Sequence, residues 1–207
     1  MENIKKQNPI VRKMDKNDLS DVINIHNKAF IDFFMTKLGK RYLLKYYSIV
    51  LEYDESLALV FEDELHNISG FAVGFKEPSK FYKFFKQYKI SILISTLFSV
   101  IKSPSLIMKI INNYFRVNSN SAISSCEENV IELSSIAVIP DSKGVGSKLL
   151  KSFIESSWEL GCSQIKLTTD ALNNDIVNNF YNKHGFKLAK KEQRQNRVMN
   201  HYILEKD

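Results

Sequence analysis

Between residues 131 and 186 the sequence runs twice through one order, an apolar strand, a turn and an amphipathic helix. No other part of the chain restricts the fold as tightly. The first strand spans 130–139 and feeds the loop Pro140-Asp141-Ser142-Lys143-Gly144-Val145-Gly146-Ser147-Lys148, and the helix after it covers 146–160 and is closed by Gly161. A strand over 164–169 and a helix over 174–183, closed by Gly185, follow. A helix that begins on two glycines exposes unpaired backbone N–H groups and the positive end of its dipole, so the loop is read as an anion site. Lys143 and Lys148 add positive charge there, and the second strand and helix are close enough to hold the rest of a phosphorylated ligand.

The rest of the chain is organised around this unit. Ile10, Arg12 and Met14 alternate with Val11 and Lys13 as a short strand, and Asp15 or Asn17 then caps a helix carrying Leu19, Val22, Ile23, Ile25 and Phe30. One further helix is expected over 34–52, although Gly39 weakens its first turns. Residues 56–62 and 68–75 are β-rich and joined by 63–67 as a hairpin, and strands over 186–192 and 198–204 end the chain. With 207 residues, 44% of them hydrophobic, the chain is long enough for a single domain with a sizeable core. Cys126 and Cys162 have no metal-type spacing, and the first eight residues have no apolar stretch, so a reducing, cytoplasmic setting is expected.

Residues 76–125 follow a different pattern. Phe81, Tyr82, Phe84, Phe85 and Tyr88 interleave with lysines ahead of an apolar run at 90–101, and Pro104 separates two helical arms. Lys76, Lys80, Lys83, Lys86, Lys89, Lys102, Lys109 and Arg116 face Glu77 alone, so the insert outweighs the whole chain's net charge of +6. A polar, Ser-rich connector over 118–125 leads back to the regular pattern. The apolar run is about 18 Å long as a helix, against roughly 30 Å for a bilayer core, so it does not span a membrane. The insert is read as a lid or wall over the acceptor, as a peripheral contact with anionic membrane through 76–117, or as an amphipathic hairpin packed on the core. Nucleic acid is not expected as a partner, because no recognised binding domain accompanies the aromatics.

Two nucleotide motifs are excluded. The phosphate-loop pattern G-x-x-x-x-G-K-[ST] is absent, and G-x-G-x-x-G fails because Leu149 takes the place of its third glycine. The strand Leu133-Ser134-Ser135-Ile136-Ala137-Val138, followed by Pro140 and Gly144-Val145-Gly146, instead resembles the acetyl-CoA motif of the GNAT family of N-acetyltransferases. The run Asn174-Asp175-Ile176-Val177-Asn178-Asn179-Phe180-Tyr181-Asn182-Lys183-His184-Gly185-Phe186 resembles that family's second block, roughly N-x-x-A-x-x-F-Y-x-K-x-G-F. One departure is visible: Asp141 stands where the family usually has Gln or Arg, and the loop after Pro140 is short. An acidic group there opposes a pyrophosphate, which makes Lys143 the compensating charge and implies weaker cofactor binding.

The resemblance implies an α/β (α+β) acyl-CoA N-acyltransferase fold. It would be one domain over 1–207 with a central twisted mixed sheet of about seven strands flanked by helices, and a helical insertion between strands three and four. It also implies acetyl-CoA as co-substrate, with no metal. Backbone groups of Ile136, Ala137 and Val138 would pair with the pantetheine arm, and the amides of Lys143, Gly144, Val145, Gly146, Ser147 and Lys148 would hold the pyrophosphate. Asn174 would contact the cofactor, and Tyr181 would protonate the departing thiolate.

The acceptor amine must lose a proton to a base or a water relay, for which Glu132 and Ser134 are the candidates. Strand alternation places Glu132, Ser134, Ile136 and Val138 on one face. His26, His66, His184 and His201 form no ligand pattern, and His201 alone lies on a strand that can border the acceptor. The acceptor is expected to be a small primary amine, an amino sugar among the options, and a homodimer is compatible with the sequence. The alternative is a non-catalytic acyl-CoA-binding or membrane-adaptor module on the same fold.

Overall fold

Alternating apolar positions in the strands feed two cores, one on each side of a seven-stranded sheet. The structure is a computed structural model that describes residues 8–102, 128–140, 142–194 and 197–206, without the side chains of 97–102. The strands are β1 (Ile10–Lys13), β2 (Ser56–Glu62), β3 (Ile68–Lys76), β4 (Val130–Val138), β5 (Gln164–Asp170), β6 (Lys187–Arg194) and β7 (Arg197–Glu205). They lie in the order β1-β2-β3-β4-β5-β7-β6, and β4 and β5 are parallel while all other neighbours are antiparallel. This is the mixed sheet that the sequence implied.

On one face Val22, Leu43, Tyr47, Phe71 and Val73 join α1 (Leu19–Ala29) and α3 (Lys40–Glu52) to β3. On the other, Leu59, Ala72, Ile131, Leu149, Phe153 and Ile165 join the sheet to α6 (Val145–Glu159), with α7 (Asp175–Lys183) adding Tyr181. Each fully buried side chain of this size contributes roughly 1.5–3 kcal/mol relative to exposure. The entry to α1 is fixed by charge. Asp15 accepts the Asn17 N–H at 2.6 Å, Asp18 accepts the Asp15 N–H at 2.8 Å, and the Arg12 fork holds both Asp18 oxygens at 2.8 Å. One guanidinium thus ties β1 to the first turn of the helical layer.

The single helix expected over 34–52 is in fact two, α2 (Phe34–Lys37) and α3, separated at Gly39. Gly39 has φ +90°, a left-handed backbone that ends one helix and starts the next at little cost only in glycine. The insert opens with α4 (Pro78–Lys86) and α5 (Lys89–Lys102). Phe81 of α4 stacks on Phe75 of β3 with ring centroids 3.7 Å apart, so α4 belongs to the core. Ile90, Leu93 and Ile94 lie exposed along one side of α5, at 67%, 58% and 59%. Pro104, the second arm, the connector over 118–125 and Cys126 lie outside the described residues. Cys162 is buried with a free thiol.

The β6 edge is basic, with Lys187, Lys190 and Lys191 all exposed. In the first core His26 is 3% exposed, and its Nδ1 lies 2.7 Å from the Tyr47 hydroxyl. Burial pushes its pKa down to about 4, so the folded state holds the ring neutral. The unfolded chain therefore binds the extra proton below pH ~6.5, and stability should fall by about 1.4 kcal/mol per pH unit down to about pH 4. Urea titrations at pH 7 and pH 5 measure this, and His26→Phe should remove a matching part of the difference.

Candidate active site

The sheet opens between β4 and β5. They pair only at Val130, Ile131 and Glu132, opposite Gln164, Ile165 and Lys166, yet β4 continues to Val138 and β5 to Asp170. Beyond Glu132 the β5-facing edge of β4, including Ile136, Ala137 and Val138, has no strand partner among the described residues. A β-bulge sits at the same place, because Gly74 opposes Leu133 while Val73 opposes Ser135, leaving Ser134 as the extra residue. A bulge adds local twist, which turns the rest of β4 away from β5.

The bulge also corrects the expectation that Glu132, Ser134, Ile136 and Val138 share a face. One inserted residue reverses the alternation after it. Glu132 and Ser134 face the helices α3 and α4, while Ile136 and Val138 pack into the α6 core. Ser135, on the far side of the bulge, bonds the Tyr47 hydroxyl in the first core.

Gly144 caps α6 with φ +78°, and among the described residues no side chain caps the helix; the Val145 N–H is taken by the Ser142 carbonyl at 3.3 Å, which leaves the amides of Gly146 and Ser147 facing the loop. A Cβ on Gly146 would meet only Phe180 and Val138, at 3.8 Å and 3.9 Å, which is ordinary contact. The protein's own packing does not require glycine there, and the bare surface suits close approach by a ligand. Lys143 lines a cavity of about 350 Å³ with Lys28, Ala29, Val138 and Pro140. Ser147 continues the first turn, whereas the Lys148 ammonium lies 5.5 Å from the centre of the Phe61 ring and is engaged with β2. Asp141, the departure noted in the sequence, lies outside the described residues.

On α7, Phe180 faces Gly146 and Val138, and the next residue, Tyr181, is 6% exposed among Phe180, Phe186 and Tyr202. Burial raises the Tyr181 pKa well above its usual value, so the phenol stays protonated through the neutral range. Among the described residues its hydroxyl has no hydrogen-bond partner. Asn174 turns its Nδ2 to the Thr169 hydroxyl and the Asp170 carbonyl, at 2.9 Å and 3.0 Å, and so ties the start of α7 to the end of β5. Asn178 extends that tie, donating to Asp170 and accepting from Asn200 and Tyr202.

Across the sheet, the two candidate bases are each bound by a tyrosine. The Tyr82 hydroxyl donates to Glu132 Oε1 at 3.0 Å, and Tyr46 lies 2.9 Å from the Ser134 hydroxyl. Burial pushes the Tyr46 pKa up to about 12, and burial together with the Glu132 carboxylate raises that of Tyr82. Both phenols are therefore neutral at neutral pH.

A family model described as "Acetyltransferase (GNAT) family" matches residues 19–186, which takes in the splayed strands, the glycine loop and α7. The chain belongs to the GNAT acetyltransferase family. A search of curated proteins returned no match. Solved GNAT structures share the fold at low identity. An N-acetyltransferase from Staphylococcus aureus Mu50 has a TM-score of 0.60 and 18% identity, covering 96% of this chain and 99% of that one. YncA of Salmonella typhimurium, solved with acetyl-CoA, has a TM-score of 0.60, 15% identity and coverage of 97% and 95%. PaiA N-acetyltransferase of Thermoplasma acidophilum, solved with coenzyme A, has a TM-score of 0.57, 15% identity and coverage of 94% and 98%.

Beside the strand, loop and helix residues expected from the sequence, this GNAT domain places Lys28 with Lys143, Tyr46 with Ser134 and Tyr82 with Glu132, and the sequence singles out none of Lys28, Tyr46 and Tyr82 for a site role. Lys28 and Tyr46 sit on helices whose amphipathic pattern reports burial, not which polar groups meet across the fold. His201 lies on β7 with Nε2 2.7 Å from Glu192 and Nδ1 3.2 Å from the Thr168 hydroxyl. His26 is buried in the core, and His66 and His184 make local contacts only. Among the described residues no three His, Cys, Asp or Glu side chains form a metal-binding group, and no helix is long and apolar enough to cross a membrane.

Proposed function

We propose that this protein moves the acetyl group of acetyl-CoA to a small primary amine by direct attack on the thioester. The observation that carries the reading is the splay of β4 from β5 beside the uncapped start of α6, with a protonated Tyr181 alongside. Acetyl-CoA would supply the activated acetyl group. The free edge at Ile136, Ala137 and Val138 is suited to the pantetheine amides, and the first amides of α6, together with Lys143 and Lys28, are suited to the pyrophosphate. As the amine nitrogen bonds to the acetyl carbon and the carbon–sulfur bond breaks, Tyr181 gives its proton to the sulfur.

On the opposite face, Glu132 takes the proton that the amine must lose, directly or through water, and Ser134 hydrogen-bonds the acceptor. Tyr82 holds the Glu132 carboxylate in place. Since Tyr82 is on α4, the start of the basic insert serves as a wall of the acceptor site, in line with the first of the three roles set out for it. Titration with acetyl-CoA followed by thiol release against a panel of amines tests the reading. Binding with no release across the panel would favour the non-catalytic module instead.

The exposed Ile90, Leu93 and Ile94, next to Lys86 and Lys89, favour a second role for the insert, as a contact with anionic membrane. Vesicles containing phosphatidylserine should then carry the protein upward in a flotation gradient at low salt and release it at high salt. Equal flotation with neutral vesicles would count against it.

A further inference from the structure

The end of the β6–β7 hairpin holds a cation whose hydrogen-bonding is incomplete. Arg194 Nη2 donates to Glu192 Oε2 at 2.8 Å, and His201 Nε2 lies 2.7 Å from the same oxygen. Two donors share one carboxylate, which is held down at a pKa of about 2 by Arg194 first and then by His201. Among the described residues the Arg194 Nε, a buried atom of a side chain that is 32% exposed, has no acceptor. A buried charged N–H without a partner is costly, and an oxygen brought by water or by a ligand relieves it. Arg197 offers no such donor, because Asp170 takes its Nε at 2.8 Å and its Nη2, and its guanidinium lies over the Phe33 ring at 5.1 Å.

Arg194 is also on the acceptor side. Alternation along β6 puts it on the same face as Glu192, which meets His201 and, through it, Thr168. From there its charge acts on the Tyr82 phenol, the group that donates to Glu132. A carboxylate suited to an ammonium and a guanidinium suited to an anion therefore flank the same wall tyrosine. Lys190, on the same face as Glu192 and Arg194, adds a second positive charge beside His201.

We infer that the acceptor carries an anionic oxygen group as well as its amine, a carboxylate or a phosphate, which docks on Arg194 while the amine faces Glu132. This rests on the transferase reading above. A polyamine would bring a second ammonium against Arg194 and is disfavoured. A neutral amine leaves the Nε without an acceptor and binds more weakly.

The test is steady-state kinetics at saturating acetyl-CoA with matched amines that bear a carboxylate, a phosphate, a neutral group or a second amine. Wild type should favour one of the anionic pair, and the carboxylate and phosphate arms tell which. Arg194→Gln should raise KM for that substrate roughly 10- to 100-fold, with kcat and the neutral amine's KM changing by less than about threefold. Arg194→Lys should recover part of the loss, and an unchanged calorimetric Kd for acetyl-CoA confirms that the variants keep the fold.

A preference for neutral amines or polyamines, or an equal KM rise across the panel, overturns the inference. Calorimetric binding of the same amines to the coenzyme A-loaded protein makes the comparison without turnover, and no anionic preference there overturns it equally. Failure to bind acetyl-CoA at all would overturn the transferase reading itself.

Discussion

Replacing Tyr181 by Phe is expected to lower kcat by ~10²-fold or more while changing acetyl-CoA affinity by less than about threefold. The phenyl ring keeps the contacts with Phe180, Phe186 and Tyr202, so α7 and the second core stay as they are. Only the hydroxyl is lost, and among the described residues it bonds no other group, so its removal leaves no orphaned partner. Its raised pKa is compatible with the role. The raised pKa keeps the proton on the phenol through the neutral range but makes its transfer to a free thiolate, whose conjugate acid titrates near 8.5, uphill, so the proton moves as the carbon–sulfur bond breaks and the phenolate then regains one from solvent. Single-turnover measurement of thiol release, beside calorimetry of cofactor binding, separates the two quantities. An unchanged rate would move the acid's role to water or to another donor.

The largest effect on stability is expected at Gly74, where alanine should cost about 3 kcal/mol and lower the melting temperature by roughly 6–12 °C. A Cβ there would lie 2.5 Å from the end of the Phe153 ring and 2.4 Å from the Glu132 carbonyl oxygen. Phe153 is fully buried on α6 and the carbonyl is backbone of β4, so neither neighbour can yield without moving an element. The conformational gain of alanine over glycine in a strand, about 0.5–1 kcal/mol, is smaller than this clash. Gly70→Ala gives the comparison. Its two nearest neighbours, the side-chain ends of Leu149 and Val138 at 2.9 Å, can shift, and the one backbone contact, the Ala137 carbonyl oxygen, lies farther off at 3.0 Å, so a milder loss is expected. Chemical denaturation of both variants gives the order, and a harmless Gly74→Ala would show that α6 sits farther from the sheet than described.

Much of this architecture was legible from residue order alone. The strands at β2, β3, β4 and β5, the helix after Gly144 and the helix ending at Gly185 all follow from apolar period and glycine placement, which are local properties. What failed was local in appearance but set by neighbours. Gly39 reads as a weak point in a helix, and only its φ of +90° shows that the chain turns there.

Ser134 reads as one more alternating position, yet its bulge exists because of the pairing with β3, so no pattern within β4 could reveal that the faces change. In the site, the glycine loop and Tyr181 were visible because their spacing is short-range. Tyr46, Tyr82 and Arg194 meet Ser134, Glu132 and each other's surroundings over long separations, which a single sequence does not encode in any period.

The exposed lysines of β6 also bear on assembly. A sheet edge is a template for another strand, and the usual protection is charge that would be buried on pairing. Two copies joined through β6 would bring Lys187, Lys190 and Lys191 against the same residues of the second copy, without local acids enough to offset them. The protein's open edge on that side is therefore guarded against sheet extension by the same residues that give the hairpin its positive field.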